Sequence, residues 1–291
     1  MGEHTSKISE GRAGTPARAG FWPGPLPGFR LTLGFTIACV SLVVILPLSA
    51  LAVKSAGLSF AEFWQVISSP RALASYKLSF GGALVAAFIN AVAGVLLAWV
   101  LVRYRFPGRA IVDALIDLPL ALPTAVAGVA LTAIYAKNGI VGGFLEAHGI
   151  SVAFTKVGVI LAMVFVGLPF AVRTVQPVLM DLDGQVEEAA AVLGASRLTT
   201  FRKIILPVLL PPLAAGFALA FARAVGEYGS VVFISGNLPL ETEIVPLLIV
   251  NKLEQFKYAH ATSLAMVMLA GSFLTLLAVN FLQARKGRSH G

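Results

Sequence analysis

Six stretches without a charged residue limit this chain more than any other feature. They run over residues 31–53, 78–102, 118–136, 157–172, 204–222 and 261–284. A helix that crosses the hydrocarbon of a bilayer needs about 20 mostly apolar residues, with a range of about 17–25. Only helices or closed barrels satisfy every backbone polar group there. Five stretches meet that length directly, and 157–172 reaches it by extending through Arg173, whose long side chain can snorkel to the interface. A soluble domain has no way to hide so much apolar surface, since only 12% of the 291 residues are charged and the mean hydropathy is +0.86. The expected fold class is an all-α polytopic membrane protein with about six transmembrane helices.

The basic residues set its direction. With the N-terminus in the cytoplasm, the inside segments hold 14 of the 22 Lys and Arg residues, among them Arg103, Arg105, Arg109, Arg173, Arg197, Arg202 and Lys203. The outside segments hold seven: Lys54, Arg71, Lys77, Lys137, Lys156, Lys252 and Lys257. This two-to-one excess predicts both termini inside, and Trp22, Trp64 and Trp99 fall near span ends as interfacial aromatics do. The formal charge of +8 thus belongs to loops beside a lipid bilayer, not to a nucleic-acid face. Residues 1–29 are rich in Gly, Pro, Ser and Arg without periodicity and are expected to form a disordered cytoplasmic tail. The expected membrane domain covers 30–284, with a core over about 78–282, and a second cytoplasmic tail covers 285–291. A cleaved signal peptide is not expected, because the first apolar run starts late and is long enough to span.

The longest inside segment, 173–203, is the most informative. Asp183 is placed to cap a short helix whose first turns carry Glu187 and Glu188, where the positive end of the dipole favours them. Leu182, Val186, Ala189, Ala190 and Leu193 recur at helical spacing, and Gly194 suits a left-handed helix end. A second helical stretch carries Leu198, Phe201 and Ile205 on one side and runs into Pro207, which opens the fifth span. Such a helix is too small to fold alone. It either lies in a groove on a partner or rests on the bilayer surface.

Within this segment, Glu188-Ala189-Ala190, three residues, Gly194, nine residues, Ile204, one residue and Leu206-Pro207 follow a fixed pattern. The pattern is similar to the EAA signature of the permease subunits of ABC importers. The resemblance implies that 183–203 is a coupling helix docking on a nucleotide-binding subunit, with Glu188, Ala189, Ala190, Gly194, Ile204, Leu206 and Pro207 as its contact residues. Further segments resemble the sulfate/thiosulfate permease family of the CysT type: Phe106-Pro107-Gly108-Arg109, Asp117-Leu118-Pro119, Leu122-Pro123-Thr124, Arg173-Thr174-Val175-Gln176-Pro177, Gly226-Glu227-Tyr228-Gly229-Ser230, Ser235-Gly236-Asn237 and Glu241-Thr242-Glu243. This likeness implies a type I ABC-importer permease fold in a bacterial inner membrane. It also implies two ATP-binding subunits, a second related permease and a periplasmic sulfate/thiosulfate-binding protein as partners.

No G-x-x-x-x-G-K-[ST] occurs, so ATP and Mg are expected on another chain and no cofactor on this one. No H-E-x-x-H is present, the four histidines are scattered, and the single Cys39 lies in an apolar run, so neither a metal centre nor an enzyme is expected. Pro119, Pro123 and Gly128 mark the third span as a kinked helix. Thr124 is there either an anion donor lining a path or a packing residue. Arg223 and Glu227, spaced i, i+4 before the apolar run at Val231, form either a structural pair or, with Ser230, part of the route. Residues 244–256 read as a short periplasmic helix, contacting a solute-binding protein or simply covering a loop. Two rivals stand beside the sulfate importer: the same machinery carrying molybdate, tungstate or another oxyanion, and a secondary transporter or channel without an ATPase.

Overall fold

A computed structural model describes residues 29–287, and every regular element among them is helical. Residues 1–28 and 288–291, which hold most of the two expected tails, lie outside the described residues. The chain divides into two compact units, one ending at Ser49 and one starting at Ala50. The first holds α1 (Phe29–Val40), a π-helical turn (Ser41–Ile45) and the start of α2 (Leu46–Ser55). The apolar stretch Leu31–Ser55 is long enough to cross a bilayer.

The second unit opens with α3 (Phe60–Ile67), an amphipathic helix closed by a capping box. Ser59 Oγ accepts from the Glu62 N–H, and the Glu62 carboxylate accepts from the Ser59 N–H. Then α4 (Pro70–Arg103) begins with Pro70 in its first turn and Ser69 capping the Ala72 N–H. At about 1.5 Å per residue this helix is much longer than the hydrocarbon is thick.

The third span departs from its expected form. It is not a kinked helix over 118–136 but two helices, α5 (Arg109–Ala121) and α6 (Thr124–Tyr135), meeting at 117°. Pro123 is the cause: the residue before a proline is driven out of the helical region, and Leu122 accordingly sits at ψ 137°. A short α7 (Ile140–Ala147) leads to α8 (Lys156–Asp181), which extends nine residues beyond the expected 157–172. Two short helices, α9 (Gly184–Val192) and α10 (Arg197–Thr200), join it through a π-helical turn (Phe201–Ile205) to α11 (Leu206–Val225). The chain ends through α12 (Gly229–Ile234), α13 (Val245–Glu254) and α14 (Tyr258–Gly287). Residues 285–287, expected in a tail, continue α14. Among the described residues, five helices are long and apolar enough to cross a bilayer, or six if the bent pair counts as one span.

The core is α4, α8 and α11 packed through small residues. Ala83, Ala86, Ala87, Ala162, Ala171, Ala220 and Ala224 are fully buried. Gly94 lets α4 approach α8 so closely that a Cβ there would stand 2.8 Å from the Ala171 Cβ. Lipid tails are as apolar as Leu, so close backbone approach replaces burial from water as the source of helix attraction.

Candidate functional site

The segment between α8 and α11 is built in detail as its sequence suggests. Asp183 accepts from the Gln185 N–H at 2.9 Å and starts α9. Gly194, at φ +80°, ends it: Gly194 N–H donates to Ala191 O and Ala195 N–H to Ala190 O, the two bonds of a Schellman motif. Ser196 then caps α10 by accepting from the Thr199 N–H.

One side of this segment is tied to α4. Arg103, in the last turn of α4, pairs with Glu187 at 2.7 Å, donates to Leu182 O at 3.2 Å and lies over the Trp99 ring. Trp99 meets Phe201 edge to face at 5.8 Å. Ala190 is buried underneath. The other side is bare: Val192 and Leu193 are each 87% exposed, and Val186, Glu188, Ala189 and Leu198 are exposed beside them. The predicted contact residues therefore divide. Glu188, Ala189 and Gly194 lie on the surface, whereas Ala190, Ile204 and Leu206 face wholly or partly inward, and Pro207 is exposed in the first turn of α11.

The second group of candidates, Thr124, Arg223, Glu227 and Ser230, meets at the joint of α11 and α12. Glu227 is buried and fully engaged: Oε2 pairs with Arg223 at 2.5 Å, while Oε1 accepts from both the N–H and the hydroxyl of Ser230 at 2.8 Å. A carboxylate in such a place survives only when its charge is paired and its lone pairs are used. Thr124 begins α6 directly against this joint, with its hydroxyl where a Cβ on Gly229 would be. One helical turn on, Gly128 runs so close to Ser230 that a Cβ would stand 2.5 Å from the Ser230 O. The sequence candidates are brought together, and glycines set how close the two short helices come.

Two ion-pair clusters escaped the reading of the sequence. Arg173 is engaged by carboxylates of α5. Its fork holds Asp117 through Nε at 2.9 Å and Nη2 at 2.6 Å, and Nη1 reaches Asp113 at 2.7 Å. This clamp fixes α5 to α8 at mid-helix and joins the Asp117-Leu118-Pro119 and Arg173-Thr174-Val175-Gln176-Pro177 segments. The available signal was the i, i+4 spacing of Asp113 and Asp117 on one face, with a lone Arg at the end of an apolar run. At the other end of α4, Arg71 grips Glu243 with two bonds of 2.6 Å, and Asn251 donates to the same carboxylate at 2.7 Å. The Val245 N–H donates to the buried Ser79 hydroxyl beside it. No local pattern announces that contact, which joins residues far apart in the chain. Among the described residues no His, Cys, Asp and Glu group is arranged to hold a metal ion.

Comparison with known proteins gives a consistent picture. The profile of a family described as "binding-protein-dependent transport system inner membrane component" matches residues 90–288. The chain is 49% identical over 263 residues to the sulfate transport system permease protein CysT of Salmonella typhimurium, covering 90% of this chain and 95% of that protein. The Escherichia coli protein of the same description is likewise 49% identical with the same coverage. That of Synechocystis is 50% identical over 248 residues, covering 85% of this chain and 87% of that protein. In solved structures, the fold resembles a chain of a bacterial ABC transporter involved in import of the acidic polysaccharide alginate. The TM-score is 0.73 at 17% identity, over 88% of this chain and 95% of that one. It also resembles a chain of the MetNI methionine ABC transporter in inward-facing conformations, at TM-score 0.54 and 18% identity, over 80% of this chain and 99% of that one. The likeness is of fold, that of type I ABC-importer permeases.

Proposed function

The chain belongs to the family of binding-protein-dependent transport system inner membrane components, and from that premise we propose that it is the sulfate-translocating permease subunit of an ATP-driven importer in a bacterial inner membrane. Membership of this family sets aside a stand-alone secondary transporter or channel. Sulfate rather than another oxyanion is supported by relatives that share half of the sequence over nearly their whole length and are described as sulfate permeases. Thiosulfate, chemically close, belongs to the same reading.

The observation that carries the mechanism is the two-sided α9–α10 segment. Its inner side is bolted to α4 by Arg103, and its outer side leaves Val192 and Leu193 uncovered among the described residues. A membrane subunit with an uncovered apolar lip on a short, well-capped helix has the form of a lever awaiting a partner. In this reading two ATP-binding subunits grip that lip here and on a second related permease, and their closure moves α4, α8 and α11 through Arg103. A periplasmic binding protein delivers the anion at the opposite end. A dianion in hydrocarbon costs tens of kcal/mol, so the route runs between polar protein walls and opens alternately to each side.

The Arg223–Glu227 pair acts as a brace in this scheme. Glu227 already cancels the charge of Arg223 and spends its other oxygen on Ser230, which leaves little net field to hold a dianion. In this reading Thr124, at the tip of α6, donates a hydroxyl to the route.

Labelled sulfate uptake in a strain lacking this chain tests the assignment, with molybdate as competitor. The reading requires uptake to return with the chain and to resist a modest excess of molybdate. Restored uptake that molybdate abolishes reassigns the substrate to that anion.

A further inference from the structure

At the end of α4 farthest from the α9–α10 segment, a cavity of about 320 Å³ opens between α3, the start of α4, α13 and the start of α14. Its walls carry Gln65, Ser69, Arg71, Lys252 and His260, over a floor of Val66, Leu248 and Leu264. The donors are only partly spent. Among the described residues, Arg71 uses Nε and Nη2 on Glu243 with no partner at Nη1, and neither Lys252 nor the His260 ring has a hydrogen bond or ion pair. The carboxylates nearby are committed, Glu243 to Arg71 and Asn251, Glu62 to the cap at Ser59. Burial, then the like charges of Lys257 and Arg71, hold the Lys252 ammonium below the usual lysine range. A cationic group left in that condition gains from any anion that enters.

Depth selects the anion. Arg71 lies seven residues, about 10 Å of helix, beyond Leu78, where the uncharged run of α4 begins. That stretch of helix carries Arg71 outside the hydrocarbon. On the flanking α3, Phe60 and Trp64 are 82% and 59% exposed, as expected of an amphipathic helix lying in the interface with its aromatics toward lipid. The cavity exceeds the need of a bare oxyanion, and its apolar floor suits the glycerol backbone and first methylenes of an acyl chain. We propose that this cavity seats the phosphate headgroup of an anionic phospholipid, held by Lys252, His260 and the free Nη1 of Arg71. The site lies apart from the α9–α10 lever and stands whether or not sulfate is the cargo.

The test leaves Arg71 intact, since it also secures Glu243. The full chain, with the subunits that accompany it, is purified from vesicles of phosphatidylethanolamine and phosphatidylglycerol. Retained lipid is counted by native mass spectrometry. The wild type should keep phosphatidylglycerol in preference to phosphatidylethanolamine. The double variant Lys252→Gln with His260→Gln should lower that retention roughly fivefold or more, and the equal charge loss Lys137→Gln on an exposed loop should not. Equal retention in all three proteins overturns the proposal. So does binding of inorganic phosphate that depends on Lys252 in a protein retaining no phosphatidylglycerol, which makes the occupant a free anion. Lipid retention that falls only when a co-purifying soluble protein is stripped away also refutes it, because the cavity is then a protein contact.

Discussion

The joint of α11 and α12 and the α9–α10 segment differ in how they treat their chemistry. At the joint a buried carboxylate has every oxygen in use, and Arg223, Ser230 and the tip of α6 close around it. In the α9–α10 segment the polar contacts are confined to one side, and the large side chains Val192 and Leu193 stand in water. A region complete in itself serves the fold, whereas a region finished on one side only serves a contact. Stability and transport should therefore respond oppositely to substitutions in the two places.

The largest loss of stability is expected from Glu227→Leu. It leaves the partly exposed Arg223 without its partner and the buried Ser230 N–H and hydroxyl unsatisfied, at a cost of about 3 kcal/mol. Thermal unfolding of the detergent-purified protein measures it. Wild-type stability in that variant would break the contrast at its stronger end. Arg223→Gln sharpens the same point, because a folded variant with full uptake removes Arg223 from the route and leaves it a brace.

Arg173→Met comes next. Asp113 and Asp117 would face each other without their cation, but the cluster is partly open to solvent, so the loss is about 2 kcal/mol. Arg173→Lys should recover only part of it, since an ammonium has no two-pronged fork. Full recovery by lysine would mean that charge alone, without the fork, fixes α5 to α8.

Gly194→Val should cost about 1–2 kcal/mol, the penalty for a side chain in the left-handed region. Its local effect is loss of the helix end between Ala190 and Ala195, readable as faster hydrogen exchange over 190–198. Unchanged exchange there would show that the Schellman turn is not what shapes the lever.

The sequence made the α9 helix ends and the apolar spans legible because their signals are local. Asp183, Gly194 and the apolar spacing between them are written within a dozen residues, and the uncharged runs fix where helices cross. The bent pair was only half legible. Pro123 announced a break, but composition does not give a bend of 117°. The Arg173 and Arg71 clusters stayed hidden, since each joins elements distant in the chain and an isolated Arg at a span end reads equally well as an interfacial anchor. In the joint, the i, i+4 spacing of Arg223 and Glu227 was visible, while the approach of α6 through Gly128 and Gly229 was not.

The smallest expected effect on stability falls on the residues of greatest consequence for transport. Val192→Asp with Leu193→Asp changes two exposed side chains and should leave unfolding within about 0.5 kcal/mol of wild type. The direct measurement is recovery of an ATP-hydrolysing subunit with the tagged chain in mild detergent, for the wild type and for this double variant. The account predicts an ATPase in proportion to the wild-type chain and background ATPase with an equally stable variant. Equal recovery with both proteins would contradict it, and the exposed edge of α9 would then not be where the motor takes hold.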